Sequence, residues 1–271
     1  MHSNNYTLGF VFIVTIILGT MLSFTKDSVK VLQDQNLKAD VQKTILKSLD
    51  FDESLLLTNE SIEQTFKNFI VDKCVDIDGN DAPCETSEVD IEKNVETLPI
   101  YFKVNNKEDY KVEGIAIPIA GKGLWSTIFG YIALNPDTDS ILGIQFYKHG
   151  ETPGLGGEVE KEWFTRNFTN HPIKDSNGKI IKDENGKIDG IPKKIRNNNG
   201  DIIGIDVLKG AVQYSSASKQ VDFLDTNPLA IHQVDGISGA TVTAKGVDSF
   251  LKEDLKKYEA YLNKVRDSGT I

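Results

Sequence analysis

Residues 3–25 carry no charged side chain, and within them 8–24 read LGFVFIVTIILGTMLSF. About 20 mostly apolar residues take a helix across a bilayer, so the pattern predicts a membrane anchor over 1–26. A cleaved signal peptide is the competing reading. Only Met1, His2, Ser3, Asn4 and Asn5 precede the run, without a lysine or arginine, and Thr20-Met21-Leu22-Ser23 is a poor small-x-small cleavage site, so an uncleaved anchor is expected. Downstream, Val29, Leu32, Val41, Ile45 and Leu49, with Leu37 and Leu46 nearby, suit an amphipathic helix over 27–50. A second short helix is expected over 59–70, capped by Ser61 or Asn59. The stretch 72–98 reads as acidic and irregular and holds Cys74 and Cys84.

After Pro99 the pattern changes to strands. β-Branched and aromatic residues fill 100–104, 112–119, 127–134 and 141–147, and turns separate them, among them Asn135-Pro136-Asp137. Residues 157–167 read as helical. Asn177-Gly178, Asn185-Gly186 and Asn199-Gly200 are flanked by β-formers and predict hairpins. From near Thr243, apolar Val247, Phe250, Leu251, Leu255, Tyr258, Leu262 and Val265 repeat at helical spacing opposite Lys252, Glu253, Lys256, Lys257 and Glu259. That helix is expected to pack on the sheet. The fold class is therefore α+β: a membrane anchor (1–26), a helical stem and irregular region (27–98), and a twisted, mostly antiparallel sheet with packed helices (99–271).

Composition narrows the function. With 39% hydrophobic and 26% charged residues, the chain is neither disordered throughout nor a bundle of membrane helices. A formal net charge of −10 repels phosphate backbones, so nucleic acid is not an expected partner. Two cysteines and four scattered histidines give no metal-ligand cluster. The pieces DIDGND (76–81) and DENGK (183–187) lack the spacing and terminal Glu of a calcium loop and read as turns.

Three segments are candidates for chemistry. Asp235-Gly236-Ile237-Ser238-Gly239-Ala240-Thr241-Val242-Thr243 precedes the last helix. Its small residues admit a ligand close to the backbone, and a helix N-terminus offers unpaired N–H groups to an anion, most simply a phosphate. The alternative is a glycine turn with Thr243 as the helix cap. The second segment, 149–157, reads HGETPGLGG and forms a shaped loop between a strand and a helix. In the third, 121–126 or GKGLWS, Trp125 either lines a planar ligand or packs on the surface.

These residues resemble a known family. DGISGAT (235–241) is similar to the flavinylation motif of the FMN-binding domain family, and GLWSTIFGYIALNPDT (123–138) and FYKHGETPGLGGE (146–158) resemble the C subunits of Na+-translocating NADH:quinone reductases. The resemblance implies FMN joined through its phosphate to Thr241 by a phosphoester, with Ser238, Gly239, Ala240 and Thr243 contacting or framing the phosphate. It implies Glu151, Thr152, Gly154 and Leu155 against the flavin ring or ribityl chain, and Trp125 nearby. Lys209 is read as a partner for the phosphate or for the charge of reduced flavin, or else as a solvated lysine. Asp235 is assigned to the motif's turn or to the modifying enzyme.

The partners implied are the other subunits of the membrane reductase, the lipid bilayer, and a flavin transferase that uses FAD and a divalent metal. The implied function is electron relay through FMN within a complex that oxidises NADH, reduces ubiquinone and pumps Na+. No G-x-G-x-x-G follows a strand and opens a helix, so the chain itself is not expected to bind NADH. The resemblance implies a bacterial inner-membrane protein, single-pass, with its flavin domain in the periplasm. Lys26 and Lys30 after the span weigh, by the positive-inside rule, towards the cytoplasm. Two other readings remain open at this level: the related G-type flavoprotein of the Rnf electron-transport complex, and a membrane-anchored phosphate-binding module without a redox role.

Overall fold

The computed structural model describes residues 4–84, 86, 96–105, 111–169, 171–172, 190–212 and 228–268. The chain divides into two compact units, Met1–Val41 and Gln42–Ile271.

Helix α1 runs Asn4–Ser48 without interruption, so the expected anchor and stem helices are one element of 45 residues. No glycine or proline lies between Phe24 and Leu49 to end it. The apolar part, Asn4–Lys30, has 27 residues. At about 1.5 Å per residue it exceeds the roughly 30 Å of a bilayer's hydrocarbon. Within it the hydroxyls of Thr15, Thr20, Thr25 and Ser28 donate to carbonyls four residues back at 2.8–2.9 Å. The polar hydrogens of these side chains are thus satisfied inside the helix. The helix stops where Asp50 takes a left-handed φ of 57°. There Phe51 N–H donates to the Leu46 carbonyl at 3.1 Å and Asp50 N–H to that of Lys47 at 3.2 Å, the paired bonds of a Schellman ending.

In the second unit α2 spans Asn59–Phe69. Its cap is Thr58 rather than Ser61 or Asn59, and Ser61 is the reciprocal member of a capping box. Six strands follow: β1 Ile70–Val75, β2 Asp81–Ala82, β3 Leu98–Val104, β4 Val112–Lys122, β5 Thr127–Leu134 and β6 Ile141–Lys148. They form one sheet, ordered β2-β1-β3-β4-β5-β6, with every neighbouring pair antiparallel. The four central strands fall where the alternation places them. The sheet also draws on the stretch expected to be irregular, since β1 pairs along its whole length with β3. Cys74, on β1, is disulfide-bonded to Cys84 with Cα atoms 6.0 Å apart.

Ile100, Phe102, Ile115, Ile117, Ile119, Ile128, Ile132, Ile144 and Phe146 belong to one buried core. The 157–167 region is a 3-10 turn (Gly156–Glu160), the short α3 (Glu162–Thr165) and a second 3-10 turn (Arg166–Phe168), in place of one regular helix. Gly156 and Gly157 weaken its start, while buried Val159, Phe164 and Phe168 hold it to the core. Strand β7 (His171–Pro172) pairs with β8 (Gly190–Ile191), and β9 (Asp206–Val207) pairs in parallel with β10 (Gln233–Val234). The turn at Asn199-Gly200 is present, with Gly200 at φ +88° and a bridge between Arg196 and Ile202. The Asx-Gly pairs at 177–178 and 185–186 lie outside the described residues.

The last helical stripe divides at Tyr258 into α4 (Thr241–Lys257) and α5 (Glu259–Ser268). All seven apolar positions of the stripe are buried. Helix α4 lies on β4, where the Asp254 carboxylate accepts the Ala120 N–H at 2.8 Å. The Tyr258 hydroxyl donates to the Pro99 carbonyl at 2.7 Å.

Candidate functional site

The three candidate segments meet on one carboxylate. The turn after β4 is closed by a Gly123 N–H donating to the Ser126 carbonyl at 2.8 Å. That turn presents three backbone N–H groups to Glu151, which lies just after β6. Glu151 Oε1 accepts from Trp125 N at 2.9 Å and Ser126 N at 3.2 Å, and Oε2 accepts from Leu124 N at 3.2 Å. The Thr243 hydroxyl, in the first turn of α4, donates to Oε2 at 2.7 Å. Glu151 is 5% exposed and Thr243 1%. Burial alone would raise the Glu151 pKa, but the Thr243 hydroxyl and the three N–H groups outweigh it and hold the group below its ordinary value.

Two glycines box this carboxylate. A Cβ on Gly123 would stand 2.6 Å from Glu151 Oε1, and one on Gly156 would stand 2.6 Å from both Oε2 and the Thr243 hydroxyl. The Glu151 N–H donates to His149 Nδ1 at 3.3 Å, while His149 Nε2 meets Glu160 at 3.2 Å. The Ser126 hydroxyl accepts the Gly150 N–H at 2.6 Å. Thr152 is exposed, and its carbonyl accepts from Leu155 and Gly157 at 3.1 and 2.9 Å. Gly154 takes φ +75° at the tip of this loop.

Helix α4 begins without a side-chain cap: its N-cap is Ala240, and its first turn holds no acidic residue. Thr243 is therefore not the cap that the plain-turn reading required. It is the third helical residue, turned inward. Thr241, the first, is half-buried, and Ser238 and Gly239 before it are exposed. Gly239 has φ +76°, and a Cβ there would lie 2.8 Å from the Leu155 side chain, so the motif and the 149–157 loop touch. Around this edge the apolar side chains of Leu124, Trp125, Leu155 and Val242 are 47, 72, 43 and 56% exposed.

Lys209 is exposed, in the turn after β9. Its neighbour Gly210 accepts the Gly236 N–H at 2.9 Å, and Asp235 accepts the Val212 N–H at 2.7 Å. These bonds seat the 208–212 turn under the start of the motif. Sequence reasoning missed exposed Leu124 and Val242, the boxing glycines Gly123 and Gly156, and buried Lys193. Gly123, Leu124, Gly156 and Val242 lie inside the segments singled out, but single-sequence patterns do not say which way a loop side chain points.

The profile of the family described as "FMN-binding domain" matches residues 123–256. Among curated proteins, the C subunit of the Na(+)-translocating NADH-quinone reductase of Pseudomonas aeruginosa is 35% identical over 160 residues, 58% of this chain and 48% of that protein. That match thus spans about half the relative's length. The protein of the same name from Haemophilus ducreyi is 28% identical over 266 residues, 91% of this chain and 87% of that one. Among solved structures, the C subunit of the same reductase from Parabacteroides distasonis superposes with a TM-score of 0.62 at 25% identity, covering 86% of this chain and 96% of that one.

Proposed function

Since this chain belongs to the FMN-binding domain family, we propose that it is the membrane-anchored flavoprotein subunit of a Na+-translocating NADH:quinone reductase, carrying FMN on Thr241 and relaying electrons through it. The observation that carries the reading is the start of α4. A helix N-terminus with no capping side chain and no acidic residue in its first turn leaves N–H groups and the positive dipole end to an anion. Helix α2 of the same unit is capped in the ordinary way, with Glu60 in its first turn. The half-buried Thr241 hydroxyl stands at that unused terminus, where a phosphoester can form.

The residues fit such a group. Ser238 and Gly239 frame the approach to the phosphate, and Ala240 keeps the cap position free of a competing oxygen. Exposed Leu124, Trp125, Leu155 and Val242 are costly to leave in water and suit the faces of a planar ring. Thr152 and Gly154 shape the loop that carries Leu155. Lys209 provides the positive charge nearest in sequence to the motif's supporting turn. When bound, the flavin supplies the redox chemistry, and the protein fixes its place and surroundings.

Attachment is a phosphoryl transfer. Thr241 would supply the attacking oxygen, its Oγ replacing AMP on the FMN phosphorus of FAD, with the hydroxyl proton taken up by the transferase and AMP as the leaving group. Covalent attachment suits a relay between fixed partners within a complex. The Cys74–Cys84 disulfide supports a domain in an oxidising compartment, the periplasm, against the weak bias of Lys26 and Lys30.

The test is a denaturing gel viewed under ultraviolet light after co-expression with the flavin transferase. The wild-type band is expected to fluoresce and Thr241→Ala to be dark. A fluorescent Thr241→Ala band moves the attachment to another residue.

A further inference from the structure

Two side chains expected to touch the flavin have no hydrogen-bond donor left with which to hold its phosphate. A carboxylate has about four lone-pair sites. Those of Glu151 accept from Trp125 N, Ser126 N, Leu124 N and the Thr243 hydroxyl, in a place that is 5% exposed. An anion so placed would also repel a phosphate rather than hold it. The Thr243 hydroxyl proton is spent on Glu151, and its residue is 1% exposed.

Their geometry gives them a different task. Each helical residue advances about 100°, so Thr243 points about 200° around the axis from Thr241. Tying Thr243 to the interior turns Thr241 outward. The same carboxylate grips the β4–β5 turn and begins the 149–157 loop, which reaches Gly239 through Leu155. Gly123 and Gly156 leave the room this junction needs. No side-chain cap fixes this end of α4, so the Thr243 bond joins the packing of buried Ala240, Ala244 and Val247 in holding the rotation of its first turn.

We propose that Glu151 and Thr243 are positioning residues for flavin attachment: through their mutual hydrogen bond they orient the Thr241 hydroxyl for transfer. The inference rests on the reading of Thr241 as the acceptor. Misplacing a reacting atom by about 1 Å can cost about 10²-fold in rate.

The test uses the full-length chain in detergent, purified flavin transferase, saturating FAD and Mg2+. Intact mass follows flavin gain with time, and peptide mapping assigns it to Thr241. Thr243→Val keeps the shape and removes the hydroxyl; its initial rate is expected to fall by about tenfold to 10²-fold, in kcat rather than in KM for the chain. Thr243→Ser, which restores the hydroxyl, is expected to recover the rate to within about threefold of wild type. Glu151→Gln, which keeps the volume and loses the charge, is expected to fall by about tenfold.

A wild-type rate in Thr243→Val overturns the proposal, as does a Thr243→Ser rate no better than that of Val. If Thr243→Val loses its near-ultraviolet circular dichroism, Glu151→Gln carries the test, and a wild-type rate there overturns the proposal. A wild-type chain that gains no flavin at Thr241 instead removes the functional reading, which is a separate result.

Discussion

Lys193 is the one lysine without exposed surface among the described residues. Its Nζ donates to the Ala230 carbonyl at 2.7 Å, bracing the turn that leads through β10 into the Thr241 motif. Burial lowers its pKa from 10.5 to about 7, against the nearby Asp235 carboxylate, which favours the charged form. An unfolded lysine titrates near 10.4, roughly. Between the two values the unfolded chain binds more protons than the folded one, so stability rises with pH. For one proton the slope is at most about 1.4 kcal/mol per pH unit. At higher pH the trend reverses, because buried tyrosines resist ionisation: desolvation lifts Tyr101 to about 12, and Tyr131 and Tyr258 are also raised. The full-length chain in detergent is therefore expected to show a urea midpoint that rises from about pH 7.5 to about pH 9. Lys193→Met is expected to remove most of that rise. An equal rise in both proteins assigns the proton uptake to another group.

The approach of α4 to β4 is set by missing side chains. Gly246 lies inside α4, where helix propensity alone favours alanine by about 1 kcal/mol. A Cβ there would overlap the Lys122 carbonyl at the end of β4, and one on Gly121 would run into the Phe250 ring. Backbone contact at this point brings the start of α4 beside the β4–β5 turn that binds Glu151. Gly246→Ala is therefore expected to destabilise by about 1–3 kcal/mol. A melting temperature equal to or above that of wild type would mean that helix and strand can part without cost. The central strands, the apolar span and the final stripe were legible in the sequence because each repeats one period over many residues. Strand β1 was not: its burial alternates over only part of its length, and aspartates follow it. The break at Tyr258 was hidden because Tyr258, Leu262 and Val265 keep helical spacing across it. The motif marked Thr241, but the inward turn of Glu151 was beyond reach. It depends on N–H groups 25–27 residues upstream and a hydroxyl 92 residues downstream, and such pairings leave no local pattern.

For the whole molecule, charge and redox chemistry pull the large unit towards opposite sides of the membrane. Two lysines at the C-terminal end of the span, Lys26 and Lys30, favour the cytoplasm, and Asp27 and Asp34 stand near them. A single-span bias of that size is readily overridden by other segments of a membrane complex. The disulfide weighs on the other side, because a cytosolic thiol pair is kept reduced by glutathione and thioredoxin. It bridges residues 10 apart and ties β1 to the chain leaving β2. Closing so short a loop is worth about 2.7 kcal/mol on the chain-entropy account. In cells, Cys74 and Cys84 are therefore expected to resist maleimide labelling until a reductant is added. Protease supplied outside spheroplasts is expected to digest the domain and leave the span. Labelling without reductant, together with protection of the domain, would place it in the cytoplasm. Attachment at Thr241 would then require a cytoplasmic transferase, because FAD and the modifying enzyme must meet that hydroxyl on the side where the domain folds.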